Sequence, residues 1–360
     1  MASARVPWVG EEEDIPGRNQ LKTYLVEAHT PGDGRDRELN LLKKVGQPLG
    51  AFVRPTEDPS LLRLSYTSND ADFWCDTSLN RFWRIHTTAK VDVADNLLGK
   101  LINSSPWLDN VWIPPRYLRD LPSHLGGRMQ TFSLRHDRRQ LRPASHFENH
   151  EDNGDLDFVT LRLWASEASL YLSKLQKTQI FPHSLSMRSV RLEAGKAENQ
   201  KPLCVAEYFH HGKVTVSGQS FDEHNRLLLL ILQHYKELVE GIERDYAFGL
   251  EPEGSRCPHL TGDPITIDLE WTVDDIEYAV AKMFSCGEPF RLWGIPEKLP
   301  GDCYRARAVD LHVGSTLTFD IMRDKIVIQL PRGTCGNTIV RFLGNLQANV
   351  NADAVGPFST

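Results

Sequence analysis

Few side chains in this sequence stand where chemistry could be done, and each has a plainer reading beside it. Cys335 lies in "PRGTCGN" (331–337), between two glycines, where a strand-like run gives way to a helical one. Backbone amides at a helix start can lower a thiol's pKa or hold an anion, so a nucleophilic thiolate is one reading of Cys335. No general base stands beside it in sequence, and a tight corner explains the glycines equally well. "HFENHED" (146–152) offers His146, Glu148, His150, Glu151 and Asp152 as metal ligands. Their spacing fits no helix-borne ligand motif and the surroundings read as linker, so no metal site is expected. His210 and His211 fall at a hairpin turn and read as solvated. Arg135, Arg138, Arg139 and Arg142 form the one concentrated basic run and could hold phosphates, although the acidic stretch after them offsets their field. There is no GxSxG, P-loop or GxGxxG pattern, and neither a cofactor nor catalysis is expected.

The elements that would position a site are more legible. Of the 360 residues, 40% are hydrophobic and 25% charged, as in an ordinary soluble chain with length for two or three domains. The longest apolar run, "LLLLIL" at 227–232, falls far short of a membrane span, and no membrane partner is expected. The N-terminus lacks the basic start and apolar stretch of a secretory leader. Six scattered cysteines without a CxxC pair fit reduced thiols in a cytoplasmic protein. The net charge of −7 is uneven: residues 1–150 hold 20 Lys+Arg against 19 Asp+Glu, leaving 21 against 29 beyond them. Broad contact with a phosphate backbone needs cations that the acidic second half does not offer.

That second half repeats itself. "VTLRL" (159–163) and "IDLEW" (267–271) are followed by Ala168, Tyr171, Leu172, Leu175 and by Ile276, Ala279, Val280, Met283, both at helical spacing. "MRSVRLEAG" (187–195) then aligns with "ARAVDLHVG" (306–314), and "CVAEYFHHGKVTVSG" (204–218) with "TLTFDIMRDKIVIQL" (316–330). The offset shifts only in loops, and an inserted "FRLWGIPEKLP" (290–300) supplies one further strand to the second copy. The copies therefore read β-α-β-β-β-α and β-α-β-β-β-β-α. In the last helix of the first copy, Leu228, Ile231, Leu232, Tyr235, Leu238, Val239 and Ile242 make one apolar stripe, which Leu227, Leu229 and Leu230 widen into a candidate partner-binding face.

This element order resembles the TATA-binding-protein-like fold, a curved antiparallel sheet backed by two helices that occurs as tandem copies. The resemblance covers roughly residues 155–350. It implies a saddle that in the family's DNA-binding members opens a minor groove, but no repeated phenylalanine pair stands at the strand ends here. Ahead of the repeats, strands at 61–67 and 81–88, a helix at 93–105, a short strand at 107–114, a helix at 115–125 and a strand at 128–136 suggest a mixed sheet. Trp74, Trp83, Trp107 and Trp112 fall within it and read as core more than as interface. "DFWCD…RFWRIHTTAK…SPWLDNVWIP" resembles uncharacterised proteins of bacterial anti-phage operons. The expected fold class is α+β: a mobile start (1–20), a mixed α/β domain (21–137), a charged linker (138–157), repeats at 158–248 and 265–350 joined by 249–264, and a tail (351–360). The expected function is a non-catalytic recognition or adaptor subunit with protein partners, in a defence system if the operon resemblance holds. A nucleic-acid binder using the tandem sheet and Arg135–Arg142 stands second, and an enzyme centred on Cys335 third.

Overall fold

The computed structural model describes residues 20–31, 36–137, 158–177, 185–196, 201–251, 259–271 and 275–358. The first strand, Leu21–Ala28 (β1), is followed by a helix, Arg37–Gly46 (α1). Four strands succeed it, Ala51–Pro55 (β2), Leu61–Tyr66 (β3), Ala71–Asp76 (β4) and Phe82–Thr87 (β5), and then a helix, Val91–Asn103 (α2). Consecutive strands from β2 to β5 pair antiparallel, and β5 pairs antiparallel with β1. This corrects the expected mixed sheet. Parallel pairing needs a crossover of a dozen or so residues, and the connections from β2 to β5 are hairpin turns. The helices stand before and after this meander, not between its strands. They bury Leu41, Leu42 and Val45 of α1 and Leu97, Leu98, Leu101 and Ile102 of α2 in one core with Leu62, Leu64, Phe73, Cys75, Trp83 and Ile85. Those strand residues sit two apart, as one face of a pleated sheet requires.

A short strand Leu108–Asn110 (β6), a helix Pro115–Leu125 (α3) and a strand Arg128–Asp137 (β7) come next. The first repeat then runs Phe158–Trp164 (β8), Ala168–Lys177 (α4), Ser186–Ala194 (β9), Cys204–Phe209 (β10), Lys213–Gly218 (β11) and Phe221–Asp245 (α5). After Ala247–Glu251 (β12) and His259–Thr261 (β13), the second runs Ile265–Asp268 (β14), Ile276–Met283 (α6), Leu292–Leu299 (β15), Cys303–Asp310 (β16), Thr316–Ile321 (β17), Lys325–Pro331 (β18) and Asn337–Asn349 (α7). Both element orders are those that the sequence offsets imply, and β15 is the strand supplied by the insertion.

Two features were not legible in the offsets. Residues 21–103 also run β-α-β-β-β-β-α, and their strand order, β2-β3-β4-β5-β1, matches β15-β16-β17-β18 with β14 on β18. The first repeat, by contrast, does not close on itself: its last strand β11 pairs with β1 and its first strand β8 with β7. The compact units follow this pairing and not the linear order. One is drawn from residues up to Val111, Leu121–Gln130 and Val190–Gln233, the other from Trp112–Asp120, Thr131–Ser189 and His234 onward.

In the second unit, α6 and α7 lie on one side of the β14–β18 sheet. Phe319 of β17 meets Phe284 after α6 and Phe342 of α7 at centroid distances of 5.1 and 5.0 Å. All thirteen residues of α7 are buried, polar ones included. The "PRGTCGN" corner places α7: Gly333 takes a left-handed φ of +88°, and a Cβ on Gly336 would stand 2.5 Å from the Val239 carbonyl oxygen. Only glycine lets the corner pass that close to α5.

Candidate recognition face and buried polar centres

The side of the second unit's sheet away from its helices is open. Strands β16–β18 alternate, with Tyr304, Ala306, Ala308, Leu317, Phe319, Ile326 and Ile328 buried and their neighbours turned outward, and β15 forms the exposed edge. On the outward side Trp293 is 52% exposed and Ile295 80%. Trp293 stands opposite Val309 and Ile295 opposite Arg307, with Thr318 next across. Arg305 donates to Asp320 through Nε and an Nη, at 2.6 and 2.9 Å. The charges of this face balance: Arg305, Arg307 and Lys325 stand against Glu297, Asp320 and Asp268. The rim is less available than the face. Gly294 N–H donates to the Phe284 carbonyl and Cys286 N–H to that of Leu292, at 3.0 and 2.9 Å, while Pro296 has no N–H to offer. Such an edge is blunted against addition of another strand.

In the first unit, the sheet face opposite α1 and α2 carries a buried polar centre. Arg84 and His86 of β5 lie on it because Trp83 and Ile85 alternate onto the core side. Thr23 stands opposite His86, and the start of α5 brings His224 and Asn225 onto the same residues. The Thr23 hydroxyl lies 2.9 Å from His86 Nδ1 and 2.9 Å from His224 Nε2. One hydroxyl proton can satisfy only one of them, so Thr23 donates to one ring and accepts from the other. Both rings must then be protonated at Nε2, or both at Nδ1. His224 Nδ1, at the end of this chain, is buried with no hydrogen-bond partner among the described residues. Arg84 donates to Asp76 at 2.5 Å, to Ser78 at 3.0 Å and to Asn225. Burial, then the charge of Arg84, pushes the His86 pKa down to about 4. Burial, then His86 and Arg84, takes His224 to about 3. Both rings are therefore neutral at ordinary pH and serve as hydrogen-bond partners.

A second centre is buried in the other unit. Asp310 and Arg341 are fully buried and paired, and Thr338 donates its hydroxyl to the same carboxylate. The Asp310 side chain also accepts from His312 N–H at 3.1 Å, and Arg341 Nε donates to the Phe290 carbonyl at 2.9 Å. These bonds tie α7 to the end of β16.

Cys335 lies in the corner between β18 and α7, 3% exposed. The Gly336 amide at the helix start donates to Glu243 of α5 at 2.8 Å. An internal carboxylate thus already takes an anion's place at that helix start. Of the residues singled out for partner binding, Leu229 and Leu230 are 37% and 39% exposed, but Leu227 is 1% exposed on the packed side. That corrects the three-leucine face: at about 100° per residue, Leu227 turns inward with Leu228 and Ile231. Trp83 and Trp112 are core residues, and His210 and His211 lie in the β10–β11 turn. Arg135 is on β7, while Arg138, Arg139, Arg142 and the "HFENHED" stretch lie outside the described residues. Sequence reasoning missed Thr23, His86 and His224, whose one local signal is the alternation of Arg84 and His86 with Trp83 and Ile85.

A model of the MJECL33-like proteins matches residues 1–355. The chain belongs to the MJECL33-like protein family. The match takes in the open face, the Thr23–His86–His224 centre and the Asp310–Arg341 centre. A relative in this family, the uncharacterised protein MJECL33 of Methanocaldococcus jannaschii, is 23% identical over 372 aligned positions, spanning 94% of this chain and 86% of the relative. Among the described residues no helix is long and apolar enough to cross a membrane.

Proposed function

We propose that this chain is a recognition or adaptor subunit that holds a protein partner on the open face of the β15–β18 sheet. The observation that carries this reading is the pair Trp293 and Ile295, 52% and 80% exposed on a face whose opposite side is filled by two helices. Large apolar side chains set among polar neighbours are how interfaces bury their central contacts. The balanced charge of the face favours protein over nucleic acid, since phosphate binding draws on an excess of cations. The likeness to TATA-binding-protein-like folds enters as a likeness of shape, a sheet backed by helices on one side. An anti-phage setting rests on the resemblance of the N-terminal segment alone.

The test is to tag the chain at its own locus, cross-link it in the cell and identify what it holds. Ile295→Asp should abolish that contact while changing stability by less than about 0.5 kcal/mol, as expected for an exposed position. A partner retained equally by Ile295→Asp and Trp293→Ala would remove this face from consideration. A salt-dependent gel shift with DNA, lost in Arg307→Ala, would move the reading to nucleic acid.

A further inference from the structure

We infer that two copies of this chain pair through β8, antiparallel about a two-fold axis at Leu161, so that one sheet continues across a dimer. Four strands end the two sheets: β2, β8, β13 and β15. Three of them discourage the addition of another strand. β13 has three residues, β2 closes on Arg54 and Pro55, and β15 carries Pro296 and donates the N–H of Gly294 to Phe284. β8 has none of these devices. It runs for seven residues, FVTLRLW, without proline and with one charged side chain, Arg162. β7 pairs with it along its whole length, on one side only. A strand paired on one side directs the N–H and C=O of every second residue to the other side.

The side chains of β8 are as open as its backbone. None of residues 159–164 is buried, and Trp164 is 65% exposed. Val159, Leu161 and Leu163 share the face on which β7 buries Phe132 and Leu134, with Leu163 opposite Phe132 and Leu161 opposite Leu134. The apolar side of β7 thus continues onto a strand that no other described strand adjoins. A partner strand laid along β8 would complete that side and satisfy the outward backbone groups together.

The occupant is a second copy because β8 is complementary to itself. With Leu161 opposite its twin, Val159 meets Leu163 and Thr160 meets Arg162, so each face of the strand continues into the same face of the other copy. All seven residues are then paired. A slip of one residue sets the leucines against the polar face. A slip of two either sets Arg162 directly against Arg162 or leaves Leu163 and Trp164 with no residue opposite. The cations of this face tolerate the pairing. The two Arg162 side chains start on a diagonal, roughly 7–8 Å apart, each beside the other copy's Thr160. Each guanidinium lies over its own Trp164 ring, 4.9 Å from the centroid. Arg135 stands opposite Thr160 on β7, with β8 between it and the other copy's Arg162. Seven residues a side make a small interface, so the dimer is a weak, micromolar one.

Sedimentation equilibrium of the full chain should show a monomer–dimer equilibrium. Thr160→Glu sets a carboxylate opposite the other copy's Arg162, twice per dimer, and should tighten the dissociation constant about fivefold. Thr160→Arg sets like charges there and should weaken it about fivefold. Thr160 is exposed, so both variants should stay folded, which circular dichroism checks. Leu161→Cys tests the register. Under a mild oxidant it should form a dimer linked through residue 161 of each copy, because the Cβ atoms of directly opposite residues stand about 4.5–5.5 Å apart. Thr160→Cys, on a diagonal from its twin, should not. A monomer at about 100 µM, a dimer indifferent to both charge variants, or cross-linking at residue 160 in preference to 161 would each overturn the pairing.

Discussion

The Thr23 hydroxyl illustrates how a buried polar group can fix two others. Replacing it by valine keeps the volume and strips both rings of a partner, and each orphaned group costs about 1–3 kcal/mol. The same centre sets a pH dependence. Folded His86 and His224 titrate at about 4 and about 3. An unfolded histidine titrates at about 6.5, so between those values the unfolded chain binds more protons than the folded one. The contribution is therefore complete above about pH 6.5 and lost as pH falls, at about 1.4 kcal/mol per pH unit for each ring. Urea unfolding at pH 7, 6 and 5 should show that decline, and a His86→Asn/His224→Asn variant should show a shallower one. A flat profile in the unaltered chain would mean that the two rings titrate as they do in water.

At the scale of elements, α7 shows why an amphipathic pattern is not the only way to bury a helix. Four of its polar residues find partners within the second unit: Arg341 and Thr338 pair with Asp310, Asn337 with Tyr235, and Asn349 with Arg188. Arg341→Met leaves Asp310 as an uncompensated buried charge and should cost about 3–5 kcal/mol. Asp310→Leu alone should cost a similar amount, because it strands the guanidinium. The double variant should be clearly more stable than the sum of the two losses, since it strands neither, and chemical denaturation of the three variants measures this. Strict additivity would show that the pair does not act as a unit.

For the molecule as a whole, the pairing of β1 decides what can fold alone. β1 lies between β5 and β11, and β11 arrives from beyond residue 200. A fragment ending at Asp137 keeps β6 against Val26–Ala28 but loses the partner of Leu21–Tyr24 on the same edge of β1, together with the residues of α5 that cover Thr23 and His86. It should aggregate or elute as a mixture in size-exclusion chromatography where the full chain elutes as one species. A monomeric, cooperatively melting fragment would show that the first 137 residues are self-sufficient, as a linear division of the chain implies.

Periodicity and spacing were enough to place α2, α3, α5 and α7, the hairpins β10–β11 and β17–β18, and the extra strand β15, because alternation and helical stripes are local records of which side is buried. The same offsets turned Cys335 from a candidate nucleophile into a corner, and Gly336, held against Val239, is why that corner needs glycine. What lay outside the sequence's reach is long-range. The Thr23 hydroxyl meets partners 63 and 201 residues away, and nothing local marks which distant strand will lie beside β1. Leu227 and Leu229 look alike in a run of leucines, and only the packing around α5 separates the buried one from the exposed one. Whether a strand's outward face meets a helix, as β5 meets α5, or stays open, as β15 and β16 do, is fixed by which elements are left to cover it. Chain composition sets how many apolar faces exist; tertiary pairing decides which of them remain exposed to a partner.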